Sequence, residues 1–172
     1  VGTLWASIHI AGGFAAKKLR DSSKSDLMAQ LDTNIVSCFL CCRAALRAFG
    51  PDGGRIVNVA ARPALEPRTG AGMTAYTIGK SGVAALTVAL GKDIGGQPVV
   101  AVHHGHTGQP KSDAEADHAL WPTVEQVATT ILFLASPENA VTRGAIVPVL
   151  DARTAGLDRY DPFARFPPYA PA

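Results

Sequence analysis

Short apolar runs alternate with longer stretches of helical period, and this alternation restricts the fold more than any other property of the sequence. Thr3 to Ile10 reads as a buried strand. From Ser25, a plausible N-cap, Leu27, Leu31, Ile35, Cys38, Phe39, Cys42 and Leu46 keep a helical period to about Phe49. Arg55 to Ala60 is a second β-branched run, and a small-residue helix follows from Ala75 to about Ile94, stopped by Gly95-Gly96. Pro98 to Val102 is the third strand. Thr123 caps a helix with Val124, Val127, Ile131, Leu132 and Leu134 on its apolar face, ending near Ser136, before a fourth strand over Gly144 to Leu150. Strand-helix order of this kind predicts a parallel sheet with right-handed crossovers and helices on both faces.

The 172 residues suit one domain, expected over 1–150, followed by a Pro- and aromatic-rich tail over 151–172. A net charge of +2 without a basic run argues against nucleic acid as a partner. Charged residues and glycines interrupt every apolar run, so no membrane span is expected, and no secretory leader is read. Cys38, Cys41 and Cys42 are odd in number and clustered on one predicted helix. They read as reduced, small apolar packing residues in a cytoplasmic protein, and no metal is expected.

Several positions carry chemistry. Ala11-Gly12-Gly13 follows the first strand, at the edge where open α/β sheets bind ligands. Asn34 lies inside a predicted helix, where asparagine is mildly unfavourable unless it has a specific polar partner. Tyr76 and Lys80 are four apart, so they share one helix face; an ammonium beside a phenol is expected to lower its pKa and make it a better proton donor. After the third strand comes His103-His104-Gly105-His106-Thr107-Gly108-Gln109. A metal hydrolase could be built on Asp113, His103, His104 and His106, but no carboxylate or Cys adjoins the histidines, which favours a substrate-facing loop. Residues 111–120 are acidic and Ala-rich, as in a mobile lid.

Taken in order, Ala11-Gly12-Gly13, Asn34, Ile56-Val57-Asn58-Val59, Tyr76 with Lys80, and Ile131-Leu132-Phe133-Leu134-Ala135-Ser136 resemble the short-chain dehydrogenase/reductase family over about Leu4 to Leu150. The resemblance implies a Rossmann-like three-layer sandwich that lacks the first βαβ units, and NAD(P)-dependent oxidoreduction of a small-molecule substrate. Tyr76 would be the acid/base, Lys80 would hold the nicotinamide ribose and depress the Tyr pKa, and Asn34 would hold a water of a proton relay. NAD or NADP would lie along Ala11, Gly12, Gly13, Val59, Ala60, Tyr76, Lys80, His104 and Gly105, with substrate near Ala61, His106 and Gln109. Family members associate through the two long helices, so a homodimer or homotetramer is expected.

The sequence departs from the family pattern in several places. Ala60-Ala61 replaces the usual Ser-Ser, and an absent oxyanion donor typically costs on the order of 2.7–4 kcal/mol in carbonyl chemistry. His104-Gly105 stands for the usual Pro-Gly, and Gln109 for a Thr. The glycine-rich pyrophosphate turn would precede Val1, which leaves an exposed sheet edge to be covered. The Ala substitution, Ala-Gly-Gly and the acidic stretch into Trp121-Pro122-Thr123 are similar to dihydropteridine reductases, whose quinonoid substrates need little carbonyl polarisation. The alternative expectation is a catalytically inactive truncated homologue that acts as a binding or oligomerisation module.

Overall fold

A computed structural model describes residues 4–93, 99–104 and 122–149. Four parallel strands form one sheet in the order β1 (Ala6–His9), β2 (Arg55–Ala61), β3 (Val99–His104) and β4 (Ala145–Val149). Between them lie α1 (Lys24–Leu31), a wider π turn (Asp32–Val36), α2 (Ser37–Ala48), α3 (Thr74–Asp93) and α4 (Val124–Ala135). The expected parallel three-layer arrangement is therefore present.

Strand β2 is the centre of the core, and its alternation divides the apolar residues into two layers. Ile56 and Ala60 face Cys38, Cys42, Ala45 and Val83 of α2 and α3. Val57 and Val59 face Val127, Ile131, Leu134 and Ala135 of α4. Burial on both sides explains why this strand is apolar on both faces, with buried Asn58 as the exception after Arg55. β1 pairs only with β2, so its other edge has no partner among the described residues; Trp5, Ile8 and Ile10 are exposed there.

The details differ from the sequence reading in four places. The cap of α1 is Ser23, not Ser25: Ser23 Oγ accepts from the Asp26 amide while Asp26 Oδ2 accepts from the Ser23 amide at 2.7 Å. The reciprocal pair satisfies two orphan donors, which Ser25 cannot do from inside the helix. The first strand is shorter than Thr3 to Ile10, because regular pairing begins at Ala6. The long helix is not uniform, since Asp32–Val36 widens into a π turn. His103 and His104 are paired residues of β3 opposite Ala60 and Ala61, so the strand extends past Val102 and the histidine loop begins later than expected. Thr123 does cap α4, in a capping box with Gln126.

Gly105, His106, Gln109, Asp113, the acidic stretch over 111–120 and the tail over 151–172 lie outside the described residues. Among the described residues no helix is long and apolar enough to cross a membrane.

Candidate active site

The site is built at the carboxyl ends of β1 and β2, against the π turn and the first half of α3. The π turn comes from polar side chains in mid-helix. Thr33 Oγ1 donates to the Ala29 carbonyl and Ser37 Oγ to the Thr33 carbonyl, both at 2.7 Å, while Asn34 Nδ2 donates to the Gln30 carbonyl at 3.0 Å. Such back-bonding competes with the helical ladder and loosens it. The loosened turn packs closely on α3. A Cβ at Gly79 would lie 3.0 Å from the Gln30 carbonyl oxygen, so only glycine lets the helices approach this far. The next residue on α3 is Lys80, which this approach brings beside Asn34.

Asn34 is fully buried and grips Gly13 from both sides. Its Oδ1 accepts from the Gly13 amide at 3.3 Å, and its Nδ2 donates to the Gly13 carbonyl at 2.9 Å. Lys80 Nζ, also buried, donates to the Val59 carbonyl at 2.9 Å. Exposed Gly12 lies between the two side chains: a Cβ there would be 2.9 Å from Asn34 Oδ1 and 3.1 Å from Lys80 Nζ. Tyr76 is half-buried one turn before Lys80, and its ring meets the edge of Phe14 at a centroid separation of 5.0 Å. The fold thus gathers Gly12, Gly13, Asn34, Val59, Tyr76 and Lys80 into one neighbourhood. Ala60 and Ala61 are buried at the end of β2, Ala11 is exposed at the end of β1, and His104 sits in register with Ala61.

The electrostatics differ from the sequence expectation. Burial raises the Tyr76 phenol above its ordinary pKa, and no lowering by Lys80 accompanies it. Burial lowers the pKa of the Lys80 ammonium. The ammonium is directed to the Val59 carbonyl, which fixes it without bringing its charge onto the phenol. Lys80 has three donors and Val59 accepts one, so protons remain for a second acceptor.

Two participants escape a reading of sequence alone. Phe14 touches the Tyr76 ring, and nothing in the pattern around Gly13 marks it. The π turn had a partial signal in the polar run Asp32-Thr33-Asn34 within an otherwise apolar helix period.

A parallel sheet with a Tyr/Lys helix packed beside a glycine-bearing strand end defines an open α/β protein, a class that binds ligands outside the carboxyl ends of its strands. A family model described as short chain dehydrogenase matches residues 1–121, and the chain belongs to that family. The (2S)-[(R)-hydroxy(phenyl)methyl]succinyl-CoA dehydrogenase subunit BbsD of Thauera aromatica is 32% identical over 161 residues, covering 86% of this chain and 64% of that protein. The trans-4-hydroxycyclohexanecarboxylate dehydrogenase of Sinomonas cyclohexanicum is 27% identical, covering 90% of this chain and 62% of its own length. The chain therefore spans a little under two thirds of these relatives. Among solved structures, a short chain dehydrogenase from Burkholderia cenocepacia J2315 in complex with NADP superposes with a TM-score of 0.77 at 28% identity, over 86% of this chain and 64% of that one. A blue fluorescent protein from a metagenomic library, in complex with NADPH, gives 0.76 at 27% identity, over 85% and 63%.

Proposed function

We propose that this chain carries the catalytic part of an NAD(P)-dependent oxidoreductase acting on a small-molecule substrate. The observation that carries the reading is the placement of Gly12 between Asn34 Oδ1 and Lys80 Nζ. Glycine lets these two polar side-chain ends lie against the backbone at the edge where open α/β sheets bind ligands, and two solved neighbours are in complex with NADP and NADPH.

A bound nicotinamide dinucleotide supplies or accepts the hydride. This chain supplies the rest. Lys80, anchored on Val59, offers its remaining protons to a ribose hydroxyl. Tyr76, held protonated by burial and fixed by Phe14, gives its proton to the substrate oxygen or nitrogen during reduction. Asn34 holds the Gly13 backbone and with it the floor of the crevice. Ala61 presents no hydroxyl to a substrate carbonyl, which favours an acceptor that is already electrophilic, such as a quinonoid or pterin-like ring.

Titration of the chain with NADH and NADPH, read by quenching of Trp5 and Trp121 with energy transfer to the dinucleotide, tests the reading. Saturable binding is expected, and Tyr76→Phe should abolish turnover while leaving binding nearly intact. No saturable binding would favour the second reading, a non-catalytic module, for which the missing Ala61 hydroxyl speaks.

Self-association is proposed through the helices. Met28, Val36, Phe39, Leu40, Ile78 and Val88 are all exposed on α1, the π turn, α2 and α3. Phe39→Glu should shift a dimer or tetramer toward monomer in light scattering.

A further inference from the structure

At the end of β1, His9 meets two of the three cysteines. Cys38 and Cys42 are one turn apart on α2 and both buried, and His9 is half-buried. The three ligand atoms lie within 4.8 Å of one another, and His9 Nδ1 is 3.6 Å from Cys42 Sγ. Sequence spacing treats the cysteines as packing residues, because the third member comes from a strand 29 positions away (38 − 9).

We propose that His9, Cys38 and Cys42 bind a soft, tetrahedral metal ion of the zinc type. Zinc bonds of about 2.3 Å to sulfur and about 2.0–2.1 Å to nitrogen place tetrahedral ligands about 3.5–3.8 Å apart. The 3.6 Å pair already has that spacing, and the Cys38 sulfur lies within 4.8 Å of both partners. Two thiolates neutralise a divalent ion, so the filled site adds no net charge to the interior.

Ser7 and Thr87 form an outer shell, and Asn58 offers a further ligand atom. Ser7 Oγ is 2.8 Å from His9 Nε2, which leaves Nδ1 as the metal-facing nitrogen. Asn58 Oδ1 is 2.8 Å from His9 Nδ1 and 3.5 Å from Cys42 Sγ. Its orientation is fixed from behind: Asn58 Nδ2 donates to Thr87 Oγ1 at 2.9 Å, and Thr87 Oγ1 donates to the Val83 carbonyl at 2.8 Å. An acceptor oxygen is thereby aimed at the cluster and is the fourth donor. Binding releases the thiol protons to solvent, together with any proton on Nδ1.

The ion would clip β1, α2 and β2 together. His9 is three residues before Gly12, Cys38 four after Asn34, and Asn58 immediately before Val59. The site uses none of the crevice residues, so it stands or falls separately from the reductase reading.

The test is Co(II) titration of the reduced, chelator-stripped full chain, followed by the thiolate-to-cobalt charge-transfer band and the visible bands of tetrahedral cobalt. Both should saturate at one equivalent and vanish on addition of Zn(II) or EDTA, and Zn(II) should raise the thermal midpoint reversibly; these readouts need no variant. Cys41→Ser, at an exposed position, should leave the spectrum unchanged, and Cys42→Ser should remove the charge-transfer band. Ser7→Ala should weaken Co(II) binding by roughly 10- to 100-fold without removing the band. Cobalt binding without a thiolate band, as from His103, His104 and His106 alone, or a band undiminished in folded Cys42→Ser, would overturn the proposal.

Discussion

Asn34 satisfies both backbone groups of Gly13, accepting from its amide at 3.3 Å and donating to its carbonyl at 2.9 Å. One side chain from a helix thus fixes the loop that ends β1. It does so from a π turn, where the widened backbone moves Asn34 off the regular helical track. Helix irregularity and loop geometry are one device.

Asn34→Ala should therefore affect both stability and activity. It leaves the Gly13 amide and carbonyl without their partner, and an unsatisfied buried group costs about 1–3 kcal/mol. Urea unfolding should show a loss in that range. Turnover should fall further than stability explains at temperatures where the variant is fully folded. A variant with unchanged unfolding midpoint would show that Gly13 is held by other contacts.

Gly12→Ala separates the crevice from the fold. Gly12 is exposed, so the added methyl meets only the ends of Asn34 and Lys80, at 2.9 and 3.1 Å. Both must shift by a few tenths of an ångström. Unfolding free energy should change by less than about 1 kcal/mol, a typical single-substitution effect. Dinucleotide affinity in the fluorescence titration should drop at least roughly tenfold, which corresponds to about 1.4 kcal/mol. Undiminished affinity would place the dinucleotide elsewhere.

The cap of α1 gives a stability comparison without catalysis. Ser23→Ala removes the acceptor for the Asp26 amide and should cost about 1 kcal/mol. Ser25→Ala, inside the first turn, should cost a few tenths at most, since alanine is the better helix former. Chemical denaturation of the two variants side by side decides which serine is the cap.

The same comparison shows what the sequence can convey. Strand and helix order was legible because each element carries an apolar period, and β2 is so deeply buried that every residue after Arg55 except Asn58 is apolar. Ser23 and Ser25 were not separable, since both precede the helix and only the reciprocal bond with Asp26 distinguishes them. Asn34, Tyr76 and Lys80 stood out as polar residues on otherwise apolar or small-residue helices. Their relation to Gly12 and Val59 did not, because it depends on how far Gly79 lets two helices close together. The His9, Cys42, Asn58 and Thr87 contacts link four separate elements, and no local spacing encodes such a chain.

Burial of Tyr76 has a consequence at alkaline pH. Its folded-state pKa is raised, so the native state holds the phenolic proton more tightly than the unfolded chain does. That contribution to stability is complete below the unfolded value near pH 10 and is lost as pH rises through the higher folded value. Lys80 shifts the opposite way in the same alkaline region, but it is present in both wild type and Tyr76→Phe and cancels in their difference. Wild-type unfolding free energy should therefore fall more steeply than that of Tyr76→Phe above about pH 10. The wild-type minus variant ultraviolet titration should show a phenol ionising later than free tyrosine. In the proposed binding mode a dinucleotide would bring a ribose hydroxyl to Lys80, so repeating the titration with NADP present would report how far the Tyr76 ionisation moves. Parallel stability curves for wild type and variant would mean that Tyr76 is as solvated in the folded chain as in the unfolded one.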